Sequence, residues 1–172
     1  STNAILKVLG IDPNEEDDKV SEEEIRMLVD AGSEKGTIEH QEKEFIQNVF
    51  EFNDIIVGTI TTHRTDVTVL WMSDDVNEWD TIIHNTRHTL YPICGDSIDN
   101  VVGVLNAKDY FRLKDRSKDS IINSAIVSPY FVIETTKADV LFRNMKKAKQ
   151  SMAIVLDEYG GMVGIVTIFD LL

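Results

Sequence analysis

The sequence predicts an α+β protein in which one β-α-β-β-α unit is used twice, with acidic helices ahead of it. Three observations carry this. The first is the stretch Val155-Leu-Asp-Glu-Tyr-Gly-Gly-Met-Val-Gly-Ile-Val-Thr-Ile-Phe-Asp170, which reads as strand, tight turn, strand and helix start. Asp157 to Gly161 is turn material, because glycine accepts positive φ without a Cβ clash. Met162 to Val166 is apolar and β-branched apart from Gly164. The second is a copy of that stretch. A shift of 61 residues lays Tyr91–Asp109 on Met152–Asp170 without a gap. Asp96 then falls on Asp157, Gly103 on Gly164, Asp109 on Asp170 and Cys94 on Val155. Such a repeat marks a supersecondary unit built twice. The third is charge. The net charge is −13, and residues 1–52 hold 14 acidic against 5 basic side chains, while the remainder holds 16 against 12. The acidity belongs mostly to the N-terminal segment.

Taken in order, residues 1–11 form a partly apolar lead-in, and residues 12–19, with Pro13 and five acids, read as an exposed linker. Ser21-Glu-Glu-Glu24 is a capping box. Ile25, Leu28 and Val29 give a helical apolar stripe, which Gly32 or Gly36 ends. A second helix starts with Thr37 as cap and carries Phe45, Ile46, Val49, Phe50 and Phe52 on its apolar face. Residues 55–63 are uncharged and β-prone, and Val67–Leu70 reads as a strand. Asp74 or Asp75 caps a helix with Val76, Trp79, Ile82 and Ile83 inward, ending near Asn85. Tyr91–Cys94 and Val101–Leu105 are strands joined by a turn. A helix from Ala107 fades into the charged linker Lys114–Asp119. The second pass repeats this: a strand at Phe131–Ile133, a helix carrying Val140, Leu141, Phe142 and Met145, strands at 152–156 and 162–166, and a helix start at 168. That last helix is cut at Leu172, so the sequence reads as a fragment of something longer.

Composition excludes several function classes. Binding duplex nucleic acid needs clustered Lys and Arg, which this acidic chain lacks, so no nucleic-acid partner is expected. The longest uncharged run, Ser120–Ile133, is short of the roughly 18–20 apolar residues of a transmembrane helix. Cys94 is a single cysteine, so no intrachain disulfide forms, and its repeat position suits a buried strand. No phosphate-binding Gly-rich loop, no Gly-x-Ser-x-Gly elbow and no Cys–His pairing appears, so no catalytic residues are assigned and an enzyme is not expected. His84 and His88 are four apart but lack a third ligand nearby, and they read as solvated helix-end histidines; no metal site is assigned.

The repeated Gly-x-x-(Thr/Asn)-x-x-Asp supports two readings. Thr167-x-x-Asp170 and Asn106-x-x-Asp109 are both good helix starts, with an N-cap residue and an acid near the positive end of the helix dipole. The same geometry suits a ribonucleotide: phosphate at the helix start and the Thr hydroxyl, and a carboxylate one turn in to accept from both ribose hydroxyls. Gly164 would let the ligand approach the strand closely.

Two β-α-β-β-α units ending in this motif resemble a pair of CBS domains, a Bateman module, over residues 55–172. Asp157-Glu-Tyr-Gly-Gly161, followed by Gly164-Ile-Val-Thr167 and Asp170-Leu-Leu172, is similar to the second CBS domain of the CorC/HlyC/CNNM family. Thr62-His-Arg-Thr-Asp-Val67 resembles that family's Thr-Pro-Arg-Thr-Asp-Val, with His63 in place of Pro. Phe50-Glu-Phe-Asn-Asp54 resembles the segment ahead of its CBS pair. The resemblance implies three parts: an acidic linker and helical segment at 1–54, a first CBS domain at 55–118, and a second at 119–172. It implies a cytoplasmic regulatory piece of a hemolysin-like membrane protein of Mg²⁺ and Co²⁺ transport or efflux, partnered by the transmembrane domain of its own full-length chain. It also implies a homodimer formed through the CBS domains. The implied ligand is an adenine nucleotide, ATP or AMP, with Mg²⁺ as its counter-ion. Carried over residue by residue, Thr167 would contact phosphate and Asp170 ribose; Ile165, Val132 and Ile133 would line the adenine slot; Thr62 or Arg64 would reach phosphate. Asp109 matches in the first repeat, where Asn106 replaces Thr or Ser. The alternative is a CBS pair that binds no ligand and serves to dimerise.

Overall fold

The structure is a computed structural model and describes residues 20–171. The lead-in at 1–11, the linker at 12–19 and Leu172 lie outside the described residues. The chain divides into two units, Ser1–Phe50 and Glu51–Leu172.

In the first unit, α1 (Glu22–Glu34) begins where the Ser21 hydroxyl accepts from the Glu24 N–H at 3.2 Å. Gly32 lies inside α1, and the chain turns out at Gly36, whose φ is +76°. The next helix, α2 (His40–Asp54), starts later than the expected Thr37 cap. There the Glu42 carboxylate accepts from the Glu39 N–H at 3.0 Å, so an acid takes the part expected of a hydroxyl. Lys43–Asp30 (3.1 Å) and Arg26 over the Phe50 ring (5.1 Å) tie the two helices together. Val29 is buried, while Leu28, Phe45 and Val49, expected inward, are exposed.

The second unit holds both repeats. Residues 55–63, expected as a β-run, form the short helix α3 (Val57–Ile60) followed by β1 (Thr62–His63). Tertiary hydrogen bonds override the β propensity here: Val57 N–H donates to Thr136 O at 2.7 Å and Gly58 N–H to Glu134 O at 2.8 Å. A 3₁₀ turn (Arg64–Asp66) follows, and β2 is Leu70–Trp71 rather than Val67–Leu70. Then come α4 (Val76–Thr86), β3 (Leu90–Cys94), β4 (Val101–Asn106), α5 (Ala107–Arg112), α6 (Lys118–Ala125), β5 (Ile126–Val127), β6 (Phe131–Ile133), α7 (Ala138–Ala148), β7 (Met152–Leu156), β8 (Met162–Thr167) and a 3₁₀ turn (Ile168–Leu171). Asp75 caps α4, its carboxylate accepting from the Glu78 N–H at 3.0 Å. Trp79 and Ile83 are buried as expected.

Helix α6 begins inside the stretch expected as the charged linker Lys114–Asp119 and continues through residues to which no element was assigned. Ser117 caps it, and its Ile121 and Ala125 are buried in the first core. Two sheets result, ordered β1-β8-β7-β6 and β2-β3-β4-β5. Each borrows its antiparallel edge strand from outside its own β-α-β-β-α block. β1 joins the second repeat's sheet and β5 the first repeat's, so the sheets do not follow the boundaries 55–118 and 119–172 strand by strand. A shared apolar layer of Cys94, Val101, Val104, Met152, Ile154 and Met162 packs the repeats together.

The ladders correct the ungapped repeat. Leu90 pairs with Asn106 as Met152 pairs with Thr167, and the left-handed caps Arg87 (φ 57°) and Lys149 (φ 53°) correspond. Up to the turn the offset is therefore 62, and beyond it 61. The first turn, between Cys94 and Val101, holds one residue more than that between Leu156 and Met162. Cys94 corresponds to Leu156, not Val155. In a strand, a one-residue slip sends every side chain to the opposite face.

Candidate functional site

The two motif copies end their strands differently. Asn106 behaves as an N-cap: its Oδ1 accepts from the Lys108 N–H at 2.9 Å and the Asp109 N–H at 3.3 Å. Thr167 does the reverse. Its N–H (2.8 Å) and its hydroxyl (2.9 Å) both donate to Asp170 Oδ2, across the start of the 3₁₀ turn. Asp170 Oδ1 accepts from nothing among the described residues. Thr167 is thus no acceptor for a helix start, and the pair forms a small polar hook at the end of β8.

That hook lines a cavity of about 480 Å³. β1 and the following 3₁₀ turn and loop supply Thr62, Asp66, Val67 and Thr68. The approach to β3 supplies His88, Thr89, Leu90 and Pro92. Asn106, Ser151, Met152, Ile165 and Phe169 complete the lining. The cavity therefore draws on both repeats and gathers Thr62, Ile165, Thr167 and Asp170 from the residues expected at a site. It does not gather the others. Val132 and Ile133 lie on β6, the far edge of the sheet from β1, with β7 and β8 between. Arg64 sits 3.5 Å from Asp99, whose carboxylate also accepts from the Met162 N–H at 2.8 Å. Asp109 is half-buried on α5 and does not line the cavity.

His88, Asp66 and Asn106 were not expected around Thr167 and Asp170. His88 reads in sequence as a solvated helix-end residue. The left-handed cap at Arg87 turns the chain from α4 toward β3 and carries His88 to the cavity wall. A non-glycine residue at positive φ has no reliable sequence signal. Gly164 also has a different role from the one expected. A Cβ there would overlap the Thr62 carbonyl oxygen and lie 2.7 Å from Thr61 Cγ2. The glycine admits the β1 backbone, not a ligand.

A second cavity of about 190 Å³ occupies the corresponding place in the other half, lined by Leu90, Val104, Asn106, Val127, Lys149, Gln150 and Ser151 among others. Val104 answers Ile165, Asn106 answers Thr167, and Val127 answers Thr62. Among the described residues that line the larger cavity, the carboxylates of Asp66 and Asp170 face one titratable base, His88.

Comparison with known proteins gives these features a context. The family model described as the cyclin M transmembrane N-terminal domain matches residues 1–42, and that of the CBS domain matches residues 122–172. The UPF0053 protein YugS of Bacillus subtilis is 32% identical over all of this chain, which covers 40% of that relative. The chain spans between about a quarter and two fifths of the length of the curated relatives it matches. A solved CBS domain of the bacterial CNNM/CorC family Mg²⁺ transporter is 30% identical with a TM-score of 0.80, covering 88% of this chain and 93% of that one. A structure of such a domain in complex with ATP is 29% identical with a TM-score of 0.68, covering 76% of this chain and 94% of that one. Coverage of 93% of a solved domain at 30% identity, with the same fold, makes the chain a member of the CNNM/CorC family that carries its CBS-domain region.

Proposed function

We propose that the chain is the nucleotide-sensing part of a membrane Mg²⁺ transport protein, and that ATP occupies the larger cavity. The observation that carries this is the cavity itself. Its volume lies within the roughly 300–1,000 Å³ of small-molecule sites, and it joins a carboxylate–hydroxyl hook to an apolar wall of Ile165, Met152, Leu90 and Pro92. Asp170 accepts from the ribose hydroxyls through Oδ1. Thr167, released from Asp170, donates to phosphate. Thr62 offers a further hydroxyl from the neighbouring strand β1, where it pairs with Ile165. The ATP complex of a relative at 29% identity supports the choice of ligand, with AMP as the lesser candidate. Two carboxylates line the cavity, so a polyphosphate binds with Mg²⁺ in preference to alone.

The readout follows from the origin of β1. Thr62 is joined through α3 to the acidic helices, so a ligand that draws β1 and β8 together biases the segment leading to the rest of the protein. Such coupling requires tighter binding to one arrangement than to the other. In this reading the module faces the cytoplasm, acts with the transmembrane domain of its own chain, and pairs with a second copy through the CBS domains. The transported ion is divalent, Mg²⁺ first and Co²⁺ second.

One observation favours a ligand-free dimerisation module instead: Thr167 and Asp170 satisfy each other without a ligand. Calorimetric titration with ATP, with and without Mg²⁺, separates the two. The proposal expects saturable heat that Asp170→Ala weakens by about tenfold or more, since a charge-assisted hydrogen bond contributes about 1.5–3 kcal/mol. Absence of heat under both conditions, with a dimer that ignores nucleotide, would establish the alternative.

A further inference from the structure

We infer that two copies of this chain pair head to tail, with the acidic face of α4 in one copy against the basic face of α7 in the other. The inference rests on the reading above that the module pairs with a second copy, and adds the faces and their direction. The two helices are the same element of the two repeats. At the offset of 62, residues 74–87 correspond to residues 136–149. The first span holds four acids and one base, a net charge of −3; the second holds five bases and one acid, a net charge of +4. The charges also gather at opposite ends. Asp74, Asp75 and Glu78 stand at the start of α4, and Lys146, Lys147 and Lys149 at the end of α7. The helix dipole favours both placements, but it acts alike on the two helices and does not account for a difference of seven charges between matching spans.

Both helices turn these groups outward. Along β7, Ala153 and Val155 belong to the core that holds Leu141 and Met145 of α7, while Met152 and Ile154 belong to the layer shared by the repeats. Helix α4 backs its own sheet in the same way, with Trp79 and Ile83 in the first core. Asp75, Glu78, Arg143, Lys146 and Lys147 are exposed. Within the chain they are only partly answered. Asp80 meets His84 at 3.4 Å and Arg116 at 3.9 Å, and Asp139 meets Arg143 at 3.8 Å. Among the described residues Glu78, Lys146 and Lys147 have no such partner. Lys118, beside the start of α4, is engaged by the carbonyls of Met72 and Asp74. A hydrogen bond to Asp74, and then the charge of that group, push the Glu78 carboxyl above its ordinary value, as uncompensated negative charge does. Parallel pairing would set each helix against its own copy, like charge on like. Head-to-tail pairing sets −3 against +4, and a two-fold axis makes the contact twice.

The test mixes single-cysteine variants of the full chain. Cys94 is buried and stays out of surface cross-links. Glu78→Cys and Lys147→Cys are oxidised separately and as an equimolar mixture, and the products are sized under denaturing, non-reducing conditions. Expected is a linked dimer in the mixture and little in either protein alone. Sedimentation velocity gives a second readout. Lys147→Glu weakens the dimer by about tenfold or more, as like charges brought together do, and adding Glu78→Lys to the same chain restores it. Both positions are exposed, so the unfolding midpoints stay at the wild-type value. Cross-linking of each variant to itself and not to the other, or a double variant no tighter than Lys147→Glu, overturns the head-to-tail arrangement while leaving the dimer standing. A wild type that sediments as a monomer overturns both.

Discussion

Gly164→Ala tests the joint on which the cavity depends. Gly164 pairs with His63 across the β1–β8 ladder, and that ladder is two residues long. A methyl group at Gly164 would overlap the Thr62 carbonyl oxygen and come within 2.8 Å of its carbonyl carbon. Both atoms are backbone, so no rotamer change relieves the contact and β1 must move. Overpacking of this kind costs about 1–3 kcal/mol, and the rigid obstacle puts this case at the upper end. For a chain of this size each kcal/mol lowers the unfolding midpoint by about 2–4 °C, so a drop of about 5–10 °C is expected. Gly103 is the internal control. It holds the matching place on β4, but a Cβ there would meet Ile126 Cγ2 at 2.6 Å, with the Val127 carbonyl oxygen at 3.5 Å. A side chain can shift, so Gly103→Ala should cost about 1 kcal/mol. Thermal unfolding followed by far-UV circular dichroism measures both. Equal midpoints for the two variants, or a Gly164→Ala protein as stable as wild type, would refute the account of the glycine. Because Thr62 lines the cavity, the same variant should also lose nucleotide affinity, while Gly103→Ala keeps it.

Three further outcomes are expected. Lys118 Nζ donates to the carbonyls of Met72 and Asp74 and sits 5.2 Å from the centre of the Trp79 ring, so Lys118→Met should destabilise by about 2–3 kcal/mol, read from urea midpoints. Tyr110 is pushed up to about 12 by burial and then by its hydrogen bond to Asp80. The folded state therefore keeps a proton that the unfolded chain releases near pH 10, and the stability this contributes is complete below pH 10 and lost as pH rises toward 12. Tyr110→Phe should flatten the alkaline limb of the stability profile. Arg64→Ala should change stability by less than about 1 kcal/mol, because the ion pair is half exposed, and should leave ATP affinity near wild type. Asp99→Ala, which strips the partner of the Met162 N–H, should cost more, by about 1–3 kcal/mol in the same urea titration.

Much of the fold was legible because local chemistry and tertiary need agree. Ser21 and Asp75 cap the helices they announce, and the apolar runs expected as strands at Tyr91–Cys94 and Val101–Leu105 form β3 (Leu90–Cys94) and β4 (Val101–Asn106). The parts that were not legible are those decided by distant partners. Residues 57–60 carry β-prone side chains, yet the carbonyls of Glu134 and Thr136 take their N–H groups and wind them into a helix. The exchange of β1 and β5 between sheets leaves no trace in periodicity, since each is two residues long. The one-residue difference between the two turns is hidden because the apolar strand tolerates alignment at either offset. At the site, Thr167, Asp170, Ile165 and Thr62 were legible from motif spacing and family likeness. His88 and Asp66 were not, because they reach the cavity through a left-handed cap and a 3₁₀ turn.

The same comparison explains why the two cavities differ. Each lies at the end of a repeat's last strand, and Val104, Asn106 and Val127 of the smaller answer Ile165, Thr167 and Thr62 of the larger. In the smaller cavity Asn106 turns its side-chain oxygen inward to cap α5, which removes it as a ligand contact, and Val127 stands where Thr62 offers a hydroxyl. In the larger one the cap is absent. Thr167 instead leans on Asp170, an exposed carboxylate that can exchange an intramolecular donor for a ribose hydroxyl at little cost. The repeat thus built two related frames that differ at Thr167 against Asn106, at Thr62 against Val127 and in cavity volume. Titration of the proposed ligand should accordingly saturate at one molecule per chain. Restoring the second hook by Asn106→Thr should not raise that number, because the matching wall still lacks the Thr62 hydroxyl and the smaller cavity has about 190 Å³ against about 480 Å³.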